Sequence, residues 1–345
     1  MLYTLRLSSQ SRTTIRTQGP LTNPHEVTPA APPATPGPRT DGTRSHRARG
    51  RAFVFAATVF WALSATLARF VFRDRHVDSL VVVELRLAIA TLVLFAILAV
   101  ARRDLLRLRR ADVPYFVVLG LFGVAAVQST YYYSIAHLGV NVGILMQYLA
   151  PTLLVALELL RGRRVGWSMI AAVTCALAGT AMLVGGIDTS ALDAGPLQWA
   201  VGFASAFAFA FYIKYSKRGL GRYHPATVLF YTFLVAALFW AIRTPPWKIA
   251  AAGYGADLWA MFLALGLFST LVPFSLFYAG LRSLPAAEAG VIATAEPLVV
   301  IAAAAVFLGE RLGPIQIVGA TFVLTAALLA SRGKPEVSEA AVERA

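Results

Sequence analysis

From Arg51 to about Ser331 the chain is a succession of apolar stretches, most of them longer than about 18 residues with one charge or none, which is the pattern of helices that cross a bilayer. They fall near 52–72, 79–100, 114–135, 139–160, 166–185, 196–216, 225–242, 257–280, 285–307 and 313–331. The composition points the same way. Of the 345 residues, 58% are hydrophobic and only 14% charged, whereas a soluble globular protein carries roughly a quarter charged residues. Such a chain has too little polar surface to cover itself in water. Its length would serve two soluble domains of about 150 residues, but it suits ten spans of about 20 residues with short loops better. The expectation is therefore an all-α integral membrane protein with ten transmembrane helices.

The net charge of +14 invites a nucleic-acid reading, and the placement of the cations argues against it. Arg102, Arg103, Arg107, Arg109 and Arg110 lie between spans two and three, and Arg161, Arg163 and Arg164 between four and five. Lys214, Lys217, Arg218 and Arg222 join six to seven, and Arg282 joins eight to nine. The alternate loops hold only Arg73, Arg75, Arg243, Lys248 and Arg311, so the division is thirteen against five on alternating sides. The positive-inside rule then places the rich set and both termini in the cytoplasm of a plasma-membrane protein. A nucleic-acid binder needs its cations on one continuous face, so no nucleic-acid partner is expected; the partners are lipid bilayer and a small molecule.

Residues 1–50 differ from the rest: rich in Pro, Thr, Ser and Arg, with Glu26 and Asp41 as the only acids and no apolar period. This segment is expected to be a disordered basic tail, and residues 332–345 a second tail. It lacks the apolar core of a secretory signal; a transit peptide, a cytoplasmic tail and a misassigned start all stay open. The single cysteine, Cys175, lies in an apolar run and cannot form an intramolecular disulfide. It reads as a small core residue against another helix. No Cys/His cluster has metal-ligand spacing, so neither metal nor cofactor is expected.

The chain also repeats itself weakly. YYSIAHLGVNVGILMQYLAP at Tyr132–Pro151 resembles YAGLRSLPAAEAGVIATAEP at Tyr278–Pro297, an offset of about 146 residues or five spans. Each is followed by an apolar helix, a Gly/Arg turn (LLRGRRVGW and FLGERLGPI) and one more apolar helix. A unit of five spans has an odd number of crossings, so its second copy enters from the opposite side. Inverted repeats of this kind recur in secondary transporters, with substrate near the midplane between the halves. The units expected are 51–185 and 195–331.

The segment TAEPLVVIAAAAVFLGERLGPIQIVGA at 294–320 resembles the EamA-type signature of the drug/metabolite transporter superfamily, and LGLFSTLVPFSLFYAGLRSLPAAEAGV before it resembles that family's eighth span and tight connection. Trp61 with Arg69, and Glu84-Leu-Arg86 ahead of an Ala-containing run, fit the first two spans more loosely. The resemblance spans about 51–331 and implies ten spans, two five-span repeats and export of small metabolites, often amino acids or drug-like compounds. The first copy lacks the Glu of the Gly-Glu-Arg turn formed by Gly309, Glu310 and Arg311.

Ionisable groups inside a bilayer are costly and usually face a cavity or a partner. Glu296 sits near the midplane of its span, and Pro297 beside it is expected to kink the helix. That carboxylate suits a substrate ammonium or a transported proton; the alternative is a structural carboxyl bonded to a neighbouring helix. Glu84 and Arg86 lie on span two, two residues apart and so projecting differently, and each is a candidate for contact with substrate. Arg86 suits a substrate carboxylate, a vestibule wall or a partner carboxylate elsewhere. Arg69 reads as snorkelling. Gln128, Tyr131 and Tyr132, then Gln147 and Pro151, then Phe274, Phe277 and Tyr278 form three polar or aromatic stripes. They suit a cavity accepting an organic cation or amino acid, or else helix packing and an interfacial aromatic belt. Trp61 and Tyr212 join the binding set through the family resemblance alone. Gly120/Gly123 and Gly139/Gly143 are expected to permit close helix packing.

These features favour a secondary transporter working by alternating access, with no ATP hydrolysis by the chain itself because no Walker A pattern is present. A membrane enzyme would need a nucleophile beside a base or a metal motif, and none is found. A non-transporting scaffold or receptor is the other alternative, and it leaves the repeat unexplained. Oligomeric state is left open.

Overall fold

The computed structural model describes residues 40–73, 75–185, 193–308 and 313–332. Most of the expected N-terminal tail, the Glu310–Arg311 turn, the Arg69 side chain and the C-terminal tail lie outside the described residues. The described residues contain helices and no strand. We number the long helices α1 (Thr40–Arg73), α2 (Ser79–Ala101), α3 (Arg110–Gly139), α4 (Asn141–Leu160), α5 (Trp167–Val184), α6 (Pro196–Leu220), α7 (Pro225–Arg243), α8 (Ala256–Ser283), α9 (Ala286–Ala293 continuing as Glu296–Leu308) and α10 (Pro314–Arg332). Among the described residues, nine of these stretches, α2 through α10, are long and apolar enough to cross a membrane.

The local chemistry accounts for where the helices start and stop. In hydrocarbon every backbone N–H and C=O must be satisfied internally, which a helix does along its own length. Pro196 and Pro225 open α6 and α7 at the first helical position, where the missing N–H would have had no partner anyway. Asp78 caps α2, its carboxylate accepting from the Leu80 N–H at 2.8 Å. α1 begins at Thr40, inside the stretch expected to be a tail, and that correction has a physical basis: Arg47 and Arg51 on this extension find buried partners elsewhere in the bundle. Gly139 also departs from expectation. It has φ +82 and makes the turn between α3 and α4 rather than a close helix contact, a conformation that costs glycine little because it has no Cβ.

The bundle packs in reciprocal pairs. α1 lies along α8, and the α3–α4 hairpin lies along α6. α2 crosses α7, and α5 crosses α10. α3 and α8 each contain a π-helical segment, Leu119–Ala125 and Leu265–Leu271, whose first residues, Leu119 and Leu265, are 146 apart. Gly120 in the first segment is pressed against Val235 of α7: an added Cβ would lie 2.5 Å from that side chain. Gly266 in the second is pressed against Ile89 of α2, where a Cβ would lie 2.6 Å away. Ile89 and Val235 are again 146 apart. Where α5 crosses α10, Gly179 faces Gly319, and no larger residue fits between the backbones. Cys175 is half-buried in the same contact, as its apolar surroundings imply.

Large apolar side chains cover the outside of the bundle, among them Phe55, Leu92, Phe122, Phe207, Leu238, Phe268 and Leu328. A water-soluble monomer rarely exposes so continuous an apolar surface. Charges gather at the helix ends. One end, the basic end, holds Glu158 with Arg163 and Lys214, Asp112 with Arg222 and Tyr223, and Glu288 with Arg47 and Arg51. At the other end Arg75 meets Asp257.

Overpacking at a tight crossing costs about 1–3 kcal/mol, so Gly120→Val and Gly266→Val should each lower the thermal unfolding midpoint of the detergent-solubilised protein. Wild-type midpoints for both would mean these contacts are looser than described.

Candidate functional site

α4 and α9 are both broken, at matching places. α4 turns at Tyr148–Leu149 and restarts as Ala150–Leu160 with Pro151 at its head. α9 turns at Thr294–Ala295 and restarts at Glu296 with Pro297 next. The break therefore precedes Glu296, and Pro297 stands in the first turn of the second segment instead of kinking a continuous helix. A restart leaves the first amides of the new segment without intrahelical partners, and an acidic residue in that turn complements them. Glu296 is that residue.

The two breaks meet. Gly290, on the first segment of α9, lies against Pro151, which a Cβ there would approach to 3.1 Å. Tyr148 is buried, and its hydroxyl donates to Glu296 Oε2 at 2.7 Å. Arg86 of α2 lies within electrostatic reach of Glu296 and of Tyr131. It does not pair with Glu296. Its Nη1 donates to the Tyr132 hydroxyl across a long 3.4 Å, and its Nε is buried without a partner among the described residues. Buried guanidinium donors are normally satisfied; among the described residues this Nε is not. A carboxylate and a guanidinium thus stand near each other, with tyrosines 131, 132 and 148 around them.

The second cluster is aromatic. Trp61 of α1 meets Phe274 edge-on, with ring centroids 5.1 Å apart, and lies 5.5 Å from Phe277. Tyr212 of α6 stacks on Tyr278 at 5.9 Å, and the Tyr278 hydroxyl shares a hydrogen bond with Ser216 at 3.0 Å. Tyr212 and Tyr278 are 2% and 0% exposed, so this cluster is shut. Tyr212 touches α3 at Gly123, nine residues before Tyr132, or about 13 Å along a helix at about 1.5 Å per residue. The aromatic cluster thus closes the bundle roughly two turns from the polar one, toward the basic end.

The structure brings Glu296, Arg86 and Tyr132 together, and gathers Trp61, Tyr212 and Tyr278 in the second cluster. Glu84 joins neither. It is 3% exposed, with one carboxylate oxygen buried and unpartnered among the described residues. Its two-residue offset from Arg86 sends it to a different side of α2. Gln128 is buried one turn before Tyr131 and Tyr132, and Gln147 is half-buried next to the α4 break; no hydrogen bond is described for either side chain. Tyr148 is the residue that sequence reasoning missed. The repeat held a signal for it, since Tyr148-Leu-Ala-Pro aligns with Thr294-Ala-Glu-Pro, but an aromatic in an apolar run looks like core until the breaks are seen to face each other.

The sequence profile of the EamA-like transporter family matches this chain twice, over residues 48–185 and 198–332. An uncharacterized inner membrane transporter of Salmonella typhimurium, YicL, is 26% identical over 72% of this chain and 84% of its own length. The threonine/homoserine exporter RhtA of Escherichia coli is 27% identical over 72% of this chain and 80% of its own. An uncharacterized transporter of Archaeoglobus fulgidus is 28% identical over 78% and 93%. One solved crystal structure shares the fold, with a TM-score of 0.68 at 19% identity over 82% of this chain and 96% of its own. With the profile covering both halves of a bundle of membrane-length helices, the chain belongs to the EamA-like transporter family.

Proposed function

We propose that this protein is a secondary transporter that exports a small zwitterionic metabolite of the amino-acid type by alternating access, with Glu296 and Arg86 receiving the ammonium and carboxylate ends. The observation that carries the reading is an Arg86 with no carboxylate partner among the described residues, beside a Tyr148-bound Glu296 at the meeting of two broken helices. Separately held opposite charges in a desolvated site recognise a zwitterion better than two groups that neutralise each other, because no internal pair has to be broken first. RhtA, named as an exporter of two small amino acids, supports the same substrate class. Tyr132 and Gln128 line the approach, Gln147 flanks the break, and Trp61, Tyr212 and Tyr278 close the far side. Glu84 contributes to the same span without touching substrate.

In this reading α1 is a tenth span, and 51–185 and 195–331 are halves of opposite topology. The 146-residue offset supports it: π segments, helix breaks and the reciprocal Gly120–Val235 and Gly266–Ile89 contacts all repeat at that interval. The basic end faces the cytoplasm of the plasma membrane, with both termini there. Glu296 also carries the coupling proton.

A hydrogen bond to a charged group contributes about 1.5–3 kcal/mol, on the order of tenfold to a hundredfold in affinity. Efflux of preloaded amino acids from cells or proteoliposomes should therefore fall by at least about tenfold in Glu296→Ala and in Arg86→Ala at equal membrane expression. Arg86→Lys, a point charge without the planar fork, should recover part of it. Wild-type efflux in either alanine variant would remove that residue from the site.

Tyr148→Phe leaves the ring in place and removes only the donor to Glu296, so transport should persist with a KM higher by about fivefold to tenfold. Proton coupling is tested apart from binding. If Glu296→Gln retained the wild-type dependence of efflux on external pH, Glu296 would not be the proton carrier.

A further inference from the structure

At the basic end Glu288 stands in the first turn of α9 and is 0% exposed. Both of its oxygens are taken by arginines of α1: Arg47 Nη2 donates to Oε2 at 2.7 Å, and Arg51 Nε donates to Oε1 at 2.6 Å. Arg51 Nη2 also donates to the Ser331 carbonyl at the end of α10, at 2.7 Å. From the other side, Lys217 of α6 donates to the carbonyls of Leu281 and Leu284, where α8 ends, at 3.2 and 2.5 Å. Nearby, the backbones of α1 and α8 touch, so that a Cβ on Gly280 would lie 2.6 Å from the Gly50 carbonyl oxygen. The α8–α9 turn is thus pinned from both sides, and α1, α6 and α10 are tied to it.

The opposite end has no comparable seal among the described residues. Its ion pair, Arg75 with Asp257, joins side chains that are 36% and 51% exposed, and Arg86, Tyr131 and Tyr132 are only half-buried. A buried carboxylate stripped of its partners is strongly destabilising. α1 therefore cannot leave α9 unless Glu288 is solvated or paired again. Arg47 also stands just ahead of the region matched by the family profile, which starts at residue 48.

We propose that Glu288, Arg47 and Arg51 form an ionic lock that holds the cytoplasmic end of the transport pathway shut and sets the balance between outward-open and inward-open forms. The proposal rests on the transporter reading and the topology given above. The lock must open once in each cycle, and its strength sets how rarely the inward-open form is visited.

The test needs no substrate, so it can fail independently of the binding site. In a Cys175→Ala background, Ser216→Cys places a reporter thiol at a position 0% exposed, next to Tyr278. Inside-out and right-side-out vesicles are treated with a membrane-impermeant maleimide. With the lock intact, labelling is slow from both sides. In Arg47→Gln/Arg51→Gln and in the near-isosteric Glu288→Gln it should become on the order of tenfold faster from the basic side only. Unchanged labelling in both variants would overturn the lock. An equal rise at Thr180→Cys, fully buried in α5, would also overturn it, because general loosening would then be the cause. Exposed Ser283→Cys reports which side the basic end faces, so a reversed topology is distinguished from a failed lock.

Discussion

A bilayer offers the backbone no water, so each peptide group must find a partner inside the protein. Unbroken helices do this automatically, and the two interrupted ones, α4 and α9, do not. Their breaks at Tyr148–Leu149 and Thr294–Ala295 survive because each is buried against the other half of the bundle, with Pro151 and Pro297 at restarts where no N–H is missed. Glu296, in the first turn after one break, accepts the Tyr148 hydroxyl contributed by the other. The place where the backbone is least regular is thereby also where charge can be held inside the membrane.

The packing around this point follows from small residues placed reciprocally. Gly120 and Gly266, each in a π-helical segment, admit Val235 and Ile89 and so dock α3 on α7 and α8 on α2. Because each segment packs on a helix far away in sequence, neither half of the chain encloses the Arg86–Glu296 region alone. Closure of the aromatic cluster, with Trp61, Tyr212, Phe274, Phe277 and Tyr278 from three helices, likewise needs both halves.

Charge is distributed unevenly around that site. Toward the basic end, carboxylates and cations pair: Glu158 with Arg163 and Lys214, and Glu288 with Arg47 and Arg51. Near the middle, Arg86 has no carboxylate partner among the described residues. Glu84, buried on the same helix, likewise has no ion-pair partner among the described residues.

Much of this was legible in the residues. Apolar stretches of membrane length, their order, the basic loops and the 146-residue repeat are local or periodic properties, and the observed helices from α2 to α10 start and stop within a few residues of the expected spans. Glu296 and Arg86 stood out because a charge in an apolar run has few structural excuses. Tyr148 did not, since an aromatic in a membrane helix is ordinary until another helix brings a carboxylate to its hydroxyl. Glu84 looked equivalent to Arg86 in sequence, yet helix rotation sends it elsewhere. Arg47 looked like tail and Arg51 like the edge of the first repeat, and only contact with Glu288, some 240 residues away, ties them to α9. The sequence by itself determined the solvent, the helices and their repeat, because these depend on hydropathy along the chain. Tertiary structure decided which charges are paired and which are not, because that depends on which helix faces meet.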